Sequence, residues 1–457
     1  MKKSFLTLTA LFVLYTALTA QHLDDAALDE LARSCPPGPQ LKAAQNTLAQ
    51  VDGNKIAQNW EKSNGVDPYF SLRLKDQKIT DQKGTGRCWM FSALNIVRPV
   101  IAQKLGCGEI ELSQNYLYFY EKLEKANLYL NAIIASRDKP ANDRYVENLL
   151  KTTVQDGQNW MGFTGLVKKY GVVPKSVMPE TYSSSNSGHV NRVLSIRLKQ
   201  AALRIRHEKA ADKIAALRLQ ALKDVYKILA INFGFPPKSF TWRYENKDKK
   251  LVQLDATTPQ QFYHDYVGGK LESYRAIYSI PTLEFNKKYA IDLDRILSSG
   301  EDLSFVNLPV ETMKEMAKTS LLDSNAVWFG CDVGQQSSGE LGLLTARLYD
   351  YESLYGIDFS MSRQELFESY SSVPNHNMVF TGVDIVDGRT SKWLVENSWG
   401  DSRGKQGYLY MTDDWFDLYV QEIVVDTRYL PAEVLKIFDS KAILLPPWDP
   451  MVRMLGY

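Results

Sequence analysis

A cysteine, a histidine, an asparagine and a glutamine in this chain stand where a thiol could be made to attack a carbonyl carbon. Cys88 lies where the loop Gly84-Thr85-Gly86-Arg87 runs into Trp89-Met90-Phe91-Ser92-Ala93-Leu94-Asn95-Ile96-Val97, an apolar stretch long enough for a buried helix. The attacking species is the thiolate, so the cysteine needs a lowered pKa, for which a helix N-terminus and a nearby imidazolium are the usual sources. The position of Cys88 supplies the first. A lone cysteine is more often a small hydrophobe packed into a core, and it is the company of Cys88 that argues for chemistry. Six residues upstream, Gln82 can turn its amide toward an oxyanion while the Cys88 backbone N–H supplies a second donor. Of the five histidines, His22 and His189 lie in polar surroundings, His207 in a charged helical stretch and His264 among aromatics. His376 opens an apolar strand, and Asn397 follows 21 residues later at the end of the next one. A hairpin through Asp387-Gly388 would bring the two together, so that the Asn397 carbonyl accepts from one ring nitrogen and holds the other toward Cys88. Trp399 would screen that hydrogen bond from water.

The elements that must hold these groups are legible in outline. The helix entered at Cys88 meets Pro99, which should kink or end it unless the apolar pattern resumes through Leu105 beyond a bend. The longest helical pattern, Val190 to Phe233, reads as a helical hairpin lying on the domain or as an interaction module. Beyond Pro374 short β-branched and aromatic runs at Met378–Ile385, Lys392–Glu396, Gly407–Met411 and Gln421–Asp426 predict an antiparallel sheet. Near the N-terminus, modest helical patterns at Leu23–Ala32 and Lys42–Ala49 flank the breaker Cys35-Pro36-Pro37-Gly38-Pro39 and read as a peripheral arm.

With 457 residues, 44% of them hydrophobic, the chain can bury one large core or two. A formal net charge of +1 provides no overall field for a polyanion, so nucleic acid is not an expected partner. Lys2 and Lys3, the apolar run Phe5–Leu18 and the small residues Thr19 and Ala20 have the form of a cleaved leader over residues 1–20. That predicts an exported protein, periplasmic or secreted, with no membrane attachment after cleavage. Cys35, Cys88, Cys107 and Cys331 are too few for a disulfide scaffold. A working Cys88 must stay unpaired, which leaves at most one intramolecular disulfide among the other three.

Several separate motifs then occur in one order: Asp81-Gln82-Lys83-Gly84-Thr85-Gly86-Arg87-Cys88-Trp89-Met90-Phe91, Val327-Trp328-Phe329-Gly330-Cys331-Asp332-Val333-Gly334, Leu348-Tyr349-Asp350-Tyr351-Glu352-Ser353-Leu354, Val395-Glu396-Asn397-Ser398-Trp399-Gly400 and Pro447-Trp448-Asp449-Pro450-Met451. From about Leu41 to Met451 the chain closely resembles the bleomycin hydrolase and bacterial aminopeptidase C family. The resemblance implies an α+β, papain-like two-lobed fold over residues 51–457 after an arm at 21–50, with a helical insertion at about 189–275 and a C-terminal tail at about 446–457 in the active site. It also implies a homohexameric barrel and removal of N-terminal residues from peptide substrates through a Cys88 thioester, with no metal or cofactor. His376 follows Cys88 by 288 residues, against about 130–150 in a minimal enzyme of this type, which independently calls for an insertion. The same thiol and imidazole would also serve an endopeptidase or an acyl transferase, and a catalytically silent binding barrel is the reading from another class.

The chain departs from the family at Gly84 and Thr85, where serines are usual, at Asn375-His376-Asn377-Met378 in place of Thr-His-Ala-Met, and at Gln335-Gln336-Ser337-Ser338. Family members typically stop four residues after the Trp-Asp-Pro-Met motif, and here six follow Met451. Leu455 is therefore the expected position of the carboxylate that fixes the substrate amine, with Gly456-Tyr457 an overhang that is either removed by self-trimming or left in place to block the cleft partly or shift the cut.

Overall fold

The computed structural model describes residues 22–449. Its centre is a twelve-stranded mixed sheet whose strands, in spatial order, are Ile443–Leu445, Lys287–Ile291, Ser304–Asn307, Tyr274–Tyr278, Val420–Asp426, Val327–Cys331, His376–Val386, Arg389–Glu396, Tyr408–Thr412, Leu343–Leu344 and Ser337–Ser338, with Leu72–Arg73 added alongside His376–Val386. The four strands expected beyond Pro374 are present, and each neighbouring pair among His376–Val386, Arg389–Glu396 and Tyr408–Thr412 is antiparallel. Asp387 and Gly388 join the first two as a two-residue turn with φ of 50° and 77°. Both values are positive, as the tight hairpin turn that matches strand twist requires.

Side chains alternate across this sheet and so divide the core in two. Trp328 and Val379 point into a larger cluster built with the helices Cys88–Leu105, Gln114–Ala135 and Trp160–Tyr170. Phe329 and Phe380 point the other way, stacked on each other at 3.8 Å and joined by residues of the helices Val310–Leu322 and Asp413–Tyr419. The helix that begins at Cys88 thus lies directly on the sheet, its Trp89 carbonyl accepting from the Trp328 indole at 3.2 Å.

Pro99 neither ends nor divides that helix, which runs unbroken from Cys88 to Leu105. The prolyl residue sits at the half-exposed rim, while Ile96, Val97, Ile101 and Ala102 on either side are buried. Their burial offsets a proline penalty of about 3 kcal/mol. Gly106, at φ 64°, then caps the helix by donating to the Ala102 and Gln103 carbonyls.

The long helical pattern resolves into the hairpin Gly188–His207 and Ala211–Phe233. Val190, Leu194, Leu198, Ala201, Ile205 and, from the second helix, Ile214, Val225 and Leu229 join the larger core, whereas Ile196, Leu203, Leu219 and Ile231 stay exposed. A two-stranded ribbon, Phe240–Glu245 with Leu251–Thr257, and the helix Pro259–Tyr266 follow before the chain re-enters the sheet at Tyr274. The helices Asp25–Ser34 and Pro39–Leu48 bury no residue, as a peripheral arm should. All four cysteines are unpaired, so no disulfide forms among Cys35, Cys107 and Cys331. Among the described residues, no helix is long and apolar enough to cross a membrane. The leader and Leu455 lie outside the described residues.

Candidate active site

The geometry begins with the hairpin. Its register sets Val379 opposite Glu396, so Asn397, the next residue, comes alongside the His376 end of the neighbouring strand. Asn397 Oδ1 lies 2.9 Å from His376 Nε2 and also accepts from the Ser398 backbone N–H at 2.7 Å. The backbone contact fixes which end of the amide is oxygen, because an N–H can only donate. It follows that Nε2 carries the imidazole proton and that Nδ1 is the free base. Trp399 stacks against the His376 ring at 4.9 Å, where it covers this pair. Of the five histidines His376 is buried, and the other four are exposed.

Cys88 is the first residue of its helix and is 5% exposed. Burial pushes its thiol up to about 11, and the backbone N–H groups of Asn377, Trp89 and Cys88 itself only partly oppose that. Burial likewise pulls the His376 imidazole down to about 4 against the raising effect of Asn397. The N–H groups at the helix start do lower the cysteine pKa as expected, and burial opposes them. Burial is the largest influence on both groups.

Gln82 also departs from expectation in detail. Its backbone N–H donates to the Ser398 carbonyl at 2.9 Å and its Oε1 accepts from the Ser398 hydroxyl at 2.7 Å, which ties it to the Asn397 strand end. Its Nε2 donates to the Thr85 carbonyl at 2.7 Å. One of its two amide protons is thus engaged by the loop. Thr85 returns a bond from its hydroxyl to the Gln82 carbonyl at 2.6 Å, cross-bracing the loop that leads into Cys88.

Two residues without any signal in the sequence hold that loop from the other side. Asp156 accepts from the Gly86 N–H at 3.0 Å, Tyr118 at 2.6 Å, Lys122 at 2.7 Å, Ser187 at 2.5 Å and Asn191 at 2.8 Å. Burial alone would raise its pKa, but the Lys122 ammonium and the hydroxyl donors hold the carboxyl well below the usual range. A Cβ on Gly86 would come within 2.7 Å of Asp156, so only glycine permits this approach. Glu180 receives both terminal nitrogens of buried Arg87, at 3.1 and 3.0 Å. Single acids in loops carry no periodicity or spacing, and only their long-range partners reveal them.

Residues 22–452 match the model of the Peptidase C1-like family. The chain belongs to that family. Aminopeptidase C of Lactobacillus delbrueckii subsp. lactis is 38% identical over 420 residues, covering 90% of this chain and 91% of the relative. Human bleomycin hydrolase is 37% identical over 450 residues, covering 95% and 99% respectively. The crystal structure of PepW from Lactobacillus rhamnosis HN001 superposes with a TM-score of 0.91 at 36% identity, covering 95% of this chain and 99% of that one. The α+β, papain-like fold and the resemblance read from the motifs are thereby established, and this member of the Peptidase C1-like family is a cysteine-type peptidase.

Proposed function

We propose that this Peptidase C1-like chain is a thiol aminopeptidase in which Cys88 is the nucleophile, His376 the acid–base group and Asn397 its orienting partner. The observation that carries the reading is the buried His376–Asn397 pair, with the ring proton assigned to Nε2, on the strand whose next residue touches the Cys88 sulfur. When a peptide carbonyl reaches Cys88, the thiol proton passes to His376 Nδ1 and the sulfur forms a bond to the carbonyl carbon. The Cys88 N–H and the remaining Gln82 amide proton face the developing oxyanion. Collapse breaks the C–N bond, and the imidazolium returns its proton to the leaving amine. Water, deprotonated by His376, then cleaves the thioester and restores the thiol.

Removal of N-terminal residues is supported by the relatives named aminopeptidase C. The tail after Asp449 would meet the substrate amine with a carboxylate at Leu455 once Gly456-Tyr457 is removed. Export, supported by the first twenty residues, and assembly into a homohexamer, supported by the family resemblance and the exposed apolar side chains of the helical hairpin, complete the proposal. One experiment addresses its core. Purified protein is incubated with unblocked and N-blocked peptides, with and without a thiol alkylator, and the products are identified by mass. Stepwise loss of N-terminal residues from unblocked peptides only, abolished by alkylation and in Cys88→Ala, is expected. Cleavage of blocked peptides indicates an endopeptidase, transfer to an added amine an acyl transferase, and turnover by Cys88→Ala refutes the assignment. Intact mass compared between wild type and Cys88→Ala tests the trimming, which should remove Gly456-Tyr457 in the wild type alone.

A further inference from the structure

The strand that carries His376 contributes to a row of residues running across four neighbouring strands. Asn377, whose Oδ1 lies 3.8 Å from Cys88 Sγ, pairs with Gly330, Gly330 with Glu422, and Glu422 with Tyr278. Gly330 leaves the middle of the row open, since a Cβ there would stand 2.9 Å from Glu422 Oε2 and 3.0 Å from Asn377 Nδ2. Glu422 is fully buried, yet neither oxygen of its carboxyl has a hydrogen-bond partner, and the Tyr278 hydroxyl is also unpaired. Polar groups are seldom buried in this state, because each has given up its hydration without replacement.

Asp294 lies close enough to act electrostatically on both Glu422 and Tyr278, and it bonds the Asn159 side chain. It also lines a cavity of about 130 Å³ together with Asp292, Tyr129 and Gly157. That cavity adjoins the nucleophile loop, for the Gly157 N–H donates to the Gly86 carbonyl at 3.0 Å. Its charges do not balance. Both cations in its lining are engaged, Arg295 with Asp302 at 2.5 Å and Lys125 with Glu121 and the Gln155 and Gly157 carbonyls. Among the described residues neither Asp292 nor Asp294 forms an ion pair, and the hydroxyl of Tyr129, 3% exposed, has no partner. Adjacent strands lie about 4.8 Å apart, which sets Glu422 about 10 Å from Asn377 along the row. The α-ammonium of a substrate sits beside the scissile carbonyl and falls short of that distance, whereas lysine and arginine carry a cation at the end of a long apolar stem.

We propose that Asp294, with Glu422 behind it, forms a specificity subsite for the lysine or arginine side chain of the peptide's N-terminal residue. The inference rests on the aminopeptidase reading with Cys88 as nucleophile, and it names the class of residue that the enzyme removes fastest. The bound cation supplies the charge that these carboxyls lack, while the α-ammonium is left to the tail carboxylate.

The test compares lysyl, arginyl, norleucyl and leucyl chromogenic amides in wild type, Asp294→Asn and Glu422→Gln. The wild type should release lysine and arginine at least about tenfold faster in kcat/KM than norleucine. The difference should fall on KM, because the subsite holds the side chain alike before and during the reaction. In Asp294→Asn the ratio should drop toward one, and in Glu422→Gln by a smaller factor. Equal rates for lysyl and norleucyl amides in the wild type overturn the proposal whether or not the variants fold. A lysine preference that persists in Asp294→Asn also overturns it, as does an equal slowing of all four amides, which would assign the carboxyl to the α-ammonium. Labelling of Cys88 by lysyl and norleucyl chloromethyl ketones, read by intact mass, gives the same comparison without turnover. Faster labelling by the lysyl reagent, lost in Asp294→Asn, supports the subsite even where no amide is hydrolysed, a result that would refute the aminopeptidase reading alone. Equal labelling by the two reagents refutes the subsite and leaves that reading intact.

Discussion

Replacing Asn397 by alanine removes the one group that accepts from His376 Nε2 and leaves the Trp399 stack in place. The ring then loses its 2.9 Å partner, and rotation about its own axis can carry Nδ1 away from the orientation the proposed proton transfer requires. A hydrogen bond to a group that becomes charged during the reaction contributes about 1.5–3 kcal/mol, which is roughly a 10- to 150-fold loss in kcat/KM. The loss should fall on kcat, since the pair does not form the substrate-binding surface and its bond strengthens as the imidazolium forms. The same change also strips the buried Ser398 N–H of its 2.7 Å acceptor, so thermal unfolding of the variant must be followed alongside. The assay is release of the N-terminal residue from an unblocked chromogenic amide, normalised to the fraction of Cys88 that an alkylator titrates. Unchanged kcat/KM with Cys88 fully titratable would refute the positioning role. A loss as complete as that of Cys88→Ala, in folded protein, would place Asn397 in the chemical step itself.

Glu180→Ala leaves the buried Arg87 guanidinium without its two-point partner. It should cost about 3 kcal/mol by denaturant titration, with a loss below 1 kcal/mol showing that the pair is not a principal clamp on the loop. Glu422 is fully buried, and burial raises its carboxyl to about 8, well above the unfolded value. Its contribution to stability is therefore complete below about pH 4 and is lost as pH rises toward 8, because only the unfolded chain ionises it readily. Glu422→Gln should raise the unfolding temperature at pH 8 and leave the wild-type value at pH 4, and a difference independent of pH would contradict this.

What the amino-acid sequence settled is whatever rests on neighbours in the chain. A thiol at a loop-to-helix junction, a glutamine six residues before it, and a histidine and asparagine joined through Asp387-Gly388 are short-range patterns, and the fold starts a helix at Cys88 and bonds His376 to Asn397. The insertion between Cys88 and His376 was likewise legible, as a simple excess of residues. Burial and long-range partnership belonged to the tertiary structure alone. Pro99 passes through its helix because the residues beside it are packed against the sheet and inner helices. Burial of Cys88 works against the pull of three backbone N–H groups on its thiol, a balance set only by the folded core. Asp156, Glu180 and Asn377 become neighbours of the nucleophile loop across 70, 93 and 289 residues of chain. No local pattern encodes such separations, since the energy that selects these contacts comes from excluding water around the site, and that exclusion exists only once both lobes have closed on the helix of Cys88.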